Sequence, residues 1–203
     1  MIRASVNEKK IDCFVAVESC LKPYNSDELL DIDGFLCFRD DRLNRSGGGV
    51  VIWVRYSFQP SIFALNDKPS GIECVGVILR SSRVFLLACY VPPIPAVSQK
   101  ACISQFFITV VDEFLNANPT FSIIICGDFN RFDVSDVCKN CNLVSGFSGS
   151  TYGPVQLDYV LISENLSSKY TVNADMPFDF SSVPHKSLFA VPLNSADTTH
   201  RLL

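Results

Sequence analysis

Histidine is scarce in this sequence, with two among 203 residues, and tryptophan occurs once. That scarcity excludes a conventional zinc site: Cys138 and Cys141 are the one close cysteine pair, and His185 and His200 do not supply a second ligand pair at suitable spacing. Long apolar runs are missing as well. No stretch approaches the roughly eighteen apolar residues of a membrane span. The N-terminus has no basic-then-apolar signal pattern, so a soluble intracellular protein, nuclear or cytoplasmic, is expected. Positive charge is also short. A net charge of −4 and a pI near 5.1 exclude the global basic field of a dedicated DNA-binding module. An enzyme that meets phosphates locally, through metal ions and a few side chains, remains compatible with that charge. No repeat, linker or low-complexity segment divides the chain, and no obligate protein partner is evident.

What is present is enough for one full-sized domain. The chain is 48% hydrophobic, sufficient to fill a two-layer core. The expected domain spans residues 1–194, followed by a flexible polar tail over 195–203. Nine cysteines, odd in number and scattered, with Cys74, Cys89 and Cys126 inside apolar runs, are read as reduced core thiols. Short β-branched runs predict strands at 11–17, 61–65, 72–79, 84–90, 122–126, 155–163 and 187–193, with further ones at 50–55 and, after a turn, within 31–38. Hairpin-length intervals between the second, third and fourth of these make them antiparallel. Residues 99–117 carry Ile103, Phe106, Phe107, Val110, Val111, Phe114 and Leu115 at spacings of three and four, the stripe of a helix packed on a sheet. A second, short helix is expected over 133–140, with Asp133 as its cap.

Several of these runs end in polar residues. Ser122-Ile123-Ile124-Ile125-Cys126 gives way to Gly127-Asp128-Phe129-Asn130, where glycine permits a tight turn and alternation puts Asp128 and Asn130 on one side. The pair suits a polar substrate or a metal-bound water, and equally a simple Asx turn. Glu18 closes the strand 11–17, either as a solvated loop acid or as a carboxylate with a cation or donor beside it. Tyr90 ends another strand just before Pro92 and Pro93, and Asp158 interrupts the apolar run 155–163, where a buried acid needs a partner. His185, just before the last strand, is either that partner or a structural residue. The triple glycine Gly47-Gly48-Gly49 is followed by no Lys-Ser/Thr, which excludes a P-loop and leaves a turn that lets strands pack closely. Arg39, Arg42 and Arg45 before it form the one basic cluster, read as a solvated loop or as a phosphate-backbone contact.

In this order, Glu18, Tyr90-Val91-Pro92, Gly127-Asp128-Phe129-Asn130, Leu157-Asp158-Tyr159 and His185 resemble the endonuclease/exonuclease/phosphatase superfamily over nearly the whole chain. The stretch R-S-G-G-G-V-V-I-W-V-R and the spacing from G-D-F-N to L-D-Y-V-L-I-S look most like the apurinic-like endonuclease domain of non-LTR (LINE-type) retrotransposons. The resemblance implies an α/β (α+β) fold, a four-layer sandwich of two mostly antiparallel sheets flanked by helices. It also implies Mg²⁺ (or Mn²⁺) dependent nicking of DNA. Glu18 would hold the metal, Asp128 would align or deprotonate the attacking water, and Asn130 and Tyr90 would contact the phosphate. Asp158 would fix His185, whose imidazole stabilises developing charge, and Thr151 would lie near substrate. Two departures follow from the same resemblance: the first strand is missing or reduced to residues 2–6, and Pro184 stands where the family has an acid. They leave a catalytically impaired remnant or interaction domain, and a phosphatase or exonuclease of the same fold, as alternatives.

Overall fold

A computed structural model describes residues 11–43, 47–93, 97–175, 185–193 and 201–202. Two six-stranded sheets carry the structure. The first has the order β10-β11-β12-β1-β3-β2, with β1 Ile11–Val17, β2 Phe35–Asp40, β3 Val50–Arg55, β10 Tyr170–Asp175, β11 Ser187–Pro192 and β12 Arg201–Leu202. The second has the order β4-β5-β6-β7-β9-β8, with β4 Pro60–Phe63, β5 Glu73–Leu79, β6 Val84–Tyr90, β7 Ser122–Asp128, β8 Leu143–Ser145 and β9 Asp158–Ser163. Strands β4, β5 and β6 form the antiparallel meander that their short intervals predict. Between β6 and β7 the chain crosses over through helix α1, Val97–Ala117, so these two strands are parallel. Two short helices complete the described residues, α2 Ser135–Cys141 and α3 Glu164–Ser167.

Strand alternation sorts the side chains into three apolar layers. Val15, Val50, Ile52 and Val54 of the first sheet meet Val75, Val77, Leu86, Ala88, Ile124, Cys126, Val160 and Ile162 of the second, forming the layer between the sheets. The opposite face of the second sheet, with Phe85, Leu87, Ile123 and Ile125, is covered by the α1 stripe of Ile103, Phe106, Phe107, Val110, Val111 and Phe114. Phe85 and Phe114 stack there with centroids 4.3 Å apart. On the outer face of the first sheet, Phe14, Phe35, Val51 and Trp53 pack with Ile32, Leu21 and Leu30. That outer layer is, among the described residues, the segment 21–34 with one 3-10 turn at Asp27–Leu30 rather than a full helix. The Trp53 indole donates to the Leu30 carbonyl at 2.7 Å and ties the segment down.

Three expectations need correction. The strand predicted over 155–163 begins at Asp158, because Gly153 (φ +51°) and Pro154 turn the chain and leave Tyr152 and Val155 as an isolated bridge. Helix α2 starts at Ser135, with the Asp133 carboxylate accepting the Ser135 N–H at 2.9 Å. The 195–203 tail is not wholly free of the fold. Arg201 and Leu202 lie between β1 and β11, parallel to Ile11 and Cys13 and antiparallel to Ala190, because strands flanking a gap offer unpaired backbone groups on both sides. Two strands were not foreseen: β8, three residues long and too short to show a pattern, forms against β9, and β10 forms against β11 although Tyr170, Val172 and Ala174 alternate there with polar residues. The reduced first strand over residues 2–6, Arg45, Pro184 and His200 lie outside the described residues.

Candidate active site

Sheet register builds the site. Glu73 on β5 pairs with Tyr90 on β6, Tyr90 with Asp128 on β7, and Asp128 with Asp158 on β9. Four polar side chains thus stand in one row across the second sheet. They share the parity of Val75, Ala88, Cys126 and Val160, so the row closes one end of the layer between the sheets. The first sheet brings Glu18 from the end of β1 and His185 from just before β11 to the same end. A pocket of about 200 Å³ results, whose lining includes Glu18, Asp128, Asp158 and His185.

Glycine makes the Asp128 turn possible. A Cβ at Gly127 (φ +136°) would fall 1.9 Å from the Cys89 carbonyl oxygen, so β6 and β7 approach more closely than any other residue allows. The Asp128 carboxylate accepts the Asn130 N–H at 2.8 Å, while the Asn130 amide donates to the Val91 carbonyl at 2.8 Å. Phe129 turns the other way, fully buried against the α1 layer. The Asx turn and the delivery of an acid to the site are therefore one geometry, two readings that the triplet alone leaves open. Glu18 sits at φ +52°, a conformation costly for a residue with a Cβ. It is held there by the Ser19 and Cys20 N–H groups, which donate to the Gly49 and Gly48 carbonyls at 3.2 and 2.9 Å.

The electrostatics are those of crowded acid. Asp128 is only 3% exposed, and burial, followed by the neighbouring Asp158 carboxylate, pushes its carboxyl up to about 7. His185 presents Nδ1 to Asp158 Oδ2 at 2.9 Å, and this hydrogen bond raises the imidazole above its ordinary range despite burial. With Nδ1 engaged, Nε2 is the ring nitrogen left for a ligand. Burial and then the neighbouring Glu18 carboxylate push the Tyr90 phenol up to about 12. Asp128, Asp158 and His185 offer ligand atoms all within 4.8 Å of one another. Because His185 and Asp158 are bonded to each other, the hard oxygens of Asp128 and Glu18 are the better donors for a divalent cation. The raised Asp128 carboxyl marks a place where positive charge would be welcome.

Of the residues singled out in the sequence, Glu18, Asp128, Asp158 and His185 share the pocket and Tyr90 contacts Glu18. Asn130 lies next to Asp128 with its amide turned to Val91. Thr151 does not fit the expected place near substrate. It is fully buried, its hydroxyl accepting the Leu157 and Asp158 N–H groups at 2.9 and 3.1 Å, so it sets the approach of the Asp158 strand instead. Sequence reasoning missed two neighbours, Tyr152 and Glu73, and assigned a third, Arg42, to other roles. Tyr152 stacks obliquely on His185 with centroids 4.8 Å apart. Glu73 is a buried acid at the head of an apolar strand, the same signal that drew attention to Asp158. Arg42, read from the sequence as a solvated loop residue or a phosphate-backbone contact, instead binds Glu73 with Nε and Nη2 at 2.7 and 2.8 Å.

Comparison with known proteins bears on this arrangement. The model of the Endonuclease/Exonuclease/phosphatase family matches residues 2–174. No curated protein sequence matches significantly. Among solved structures, the 3' phosphatase NExo from Neisseria bound to product DNA hairpin superposes with a TM-score of 0.68 at 15% identity, covering 94% of this chain and 92% of that one. An AP endonuclease from Archaeoglobus fulgidus gives 0.65 at 13% identity, covering 96% and 93%. The human Nocturnin catalytic domain with bound sulfate anion gives 0.61 at 15%, covering 93% and 83%. At such identities the structures speak for the fold: two facing sheets flanked by helices. With the family's sequence pattern running through most of its length, the chain belongs to the Endonuclease/Exonuclease/phosphatase family.

Proposed function

We propose that this chain is a divalent-metal-dependent phosphodiesterase that nicks DNA, an endonuclease of the non-LTR (LINE-type) retrotransposon kind. The observation that carries the reading is the row Tyr90, Asp128, Asp158 facing Glu18 and His185 at one end of the sheets. A scissile phosphate in that pocket would meet one carboxylate, Glu18, suited to hold Mg²⁺ or Mn²⁺, and a second, Asp128, able to take a proton from water near neutral pH. When bound, the cation polarises phosphate and water and offsets the charge of the carboxylates. The Asp158 carboxylate fixes the His185 ring and favours its protonated form, which donates to a phosphate oxygen as charge builds. On this reading Tyr90 and Asn130 contact the same phosphate, as the family resemblance implies, and the Asn130 amide, one N–H of which donates to the Val91 carbonyl, uses its second N–H for that contact. DNA as substrate is supported by the AP endonuclease and DNA-bound 3' phosphatase among the fold neighbours. The retrotransposon assignment rests on the motif texture around Gly47–Gly49 and G-D-F-N.

Supercoiled plasmid incubated with the protein and Mg²⁺ tests the reading. Open-circle product from the native protein, and none from Asp128→Ala or in the presence of chelator, is expected. Equal product from both proteins would remove the enzymatic reading. Absence of product from either would favour the impaired remnant, and turnover only of a 3' phosphate or a free end would move the assignment to the phosphatase or exonuclease branch.

A further inference from the structure

Arg42 belongs to the loop that follows β2 in the first sheet, yet its side chain reaches Glu73 and Tyr90 of the second. Its guanidinium grips Glu73 through two charge-assisted hydrogen bonds, 2.7 and 2.8 Å long, and its Cζ lies 5.1 Å from the centroid of the Tyr90 ring. Glu73 and Tyr90 are direct partners across β5 and β6, so the arginine spans two adjacent members of the polar row. The Tyr90 phenol in turn lies beside the Glu18 carboxylate, whose charge raises it. The result is a chain of contacts, Glu73 to Arg42 to Tyr90 to Glu18, running from a buried carboxylate to the rim of the pocket.

The surrounding backbone is shaped for this guanidinium. A Cβ on Gly48 (φ +68°) would come within 2.3 Å of Arg42 Cζ, so the middle glycine of the triplet leaves the space that the side chain fills. The carbonyls of Gly48 and Gly49 are the same groups that hold the turn of Glu18 and Cys20. From the other side, the Lys22 ammonium donates to the Arg42 carbonyl at 2.8 Å. A solvated loop arginine would have none of these constraints. Lysine could not reproduce them, because a point charge lacks the fork that meets both Glu73 oxygens.

We propose that Arg42 is a positioning residue: clamped by Glu73, it fixes the Tyr90 ring so that the phenol hydroxyl is directed at Glu18 and the phosphate beside it. The proposal rests on the nuclease reading for its kinetic consequence and on geometry alone for its structural one. A purely structural pin between the two sheets is the competing explanation, and it predicts no dependence on Tyr90.

The decisive comparison is a double-mutant cycle between the Arg42 pair and Tyr90. Arg42→Met alone strands a buried carboxylate and risks unfolding, so Arg42→Met/Glu73→Met, which removes both charges at similar volume, is the working variant. Far-UV circular dichroism and thermal melting confirm that it folds. Its kcat/KM on plasmid, Tyr90→Phe alone and the triple variant are then compared. The account expects a fall of roughly tenfold in each of the first two and no further fall in the triple, since both act through one hydroxyl. Independent losses multiplying to about a hundredfold in the triple would overturn it. In parallel, the protein labelled with ¹³C at the tyrosine rings gives a Tyr90 resonance, identified by its loss in Tyr90→Phe, that should move in Arg42→Met/Glu73→Met. An unmoved resonance would also overturn the proposal. This second readout stands even when the native protein nicks nothing, an outcome that would sink the nuclease reading and leave the clamp to be judged by the resonance.

Discussion

Asp128 is a carboxyl group whose neighbours make ionisation costly: it is buried, it faces Asp158 across one ladder step, and Glu18 adds negative charge from the opposite sheet. Its folded-state value of about 7 lies above the ordinary 3.8, so the folded protein keeps a proton that the unfolded chain releases between those values. Stability contributed by that proton is present below about pH 4 and lost as pH rises through about 7. In chelator, the melting temperature of the native protein relative to Asp128→Asn should therefore fall between pH 5 and pH 8. A difference that is flat or rising over that range would contradict the burial account. The neighbouring Asp158 acts through His185, whose Nδ1 it holds at 2.9 Å. Asp158→Asn should lower the nicking rate by about 10² or more, the usual scale for a positioned acid or base. His185→Ala should lower it similarly, and the double variant little further, as steady-state rates would show.

At the scale of elements, the site depends on how closely β6 and β7 approach and on what backs them. Gly127→Ala would drive a methyl group into the Cys89 carbonyl at a φ of +136°, and the cost should be about 3 kcal/mol or more by urea denaturation. Destabilisation below about 1 kcal/mol would show that β6 and β7 can move apart without penalty, against the packing described. Helix α1 backs the same strands through Phe85 and Phe114, and Phe114→Ala should cost about 3–5 kcal/mol in the same experiment. These elements were legible because their signals are local. Residues 11–17 alternate into two apolar layers and form β1 with those bounds, and the stripe from Ile103 to Leu115 forms α1. Strand β10 was legible but overlooked, since Tyr170, Val172 and Ala174 alternate with Thr171, Asn173 and Asp175, whereas Arg201–Leu202 carries no local signal and pairs with residues far away in sequence. Thr151 was misread for a related reason. Nothing in Ser150-Thr151-Tyr152 tells a buried hydroxyl that caps the Asp158 strand from an exposed one near substrate, since that depends on the Tyr152 to Val155 bridge.

Across the whole molecule, one end of two facing sheets gathers Glu18, Tyr90, Asp128, Asp158 and His185 from segments spread over most of the chain. Glu18, Tyr90, Asp128 and Asp158 are recognisable in sequence because each is a polar residue ending or opening an apolar strand. Glu73 escapes notice, and Arg42 is read as a loop or phosphate-backbone residue, because their partnership crosses from one sheet to the other. Converging carboxylates also make the molecule's stability sensitive to divalent ions. Mg²⁺ bound in the folded state and not in the unfolded one should raise the melting temperature, and less so in Glu18→Gln. The central claim is that this end of the sheets is a metal-dependent phosphodiesterase site, and a Mg²⁺ titration of plasmid nicking tests it most directly. The account predicts saturable nicking by the native protein, a half-saturating Mg²⁺ concentration shifted upward by about tenfold in Glu18→Gln, and no product at any Mg²⁺ concentration from Asp128→Ala. Nicking that is independent of Mg²⁺, or that proceeds at the native rate in Asp128→Ala, would contradict it.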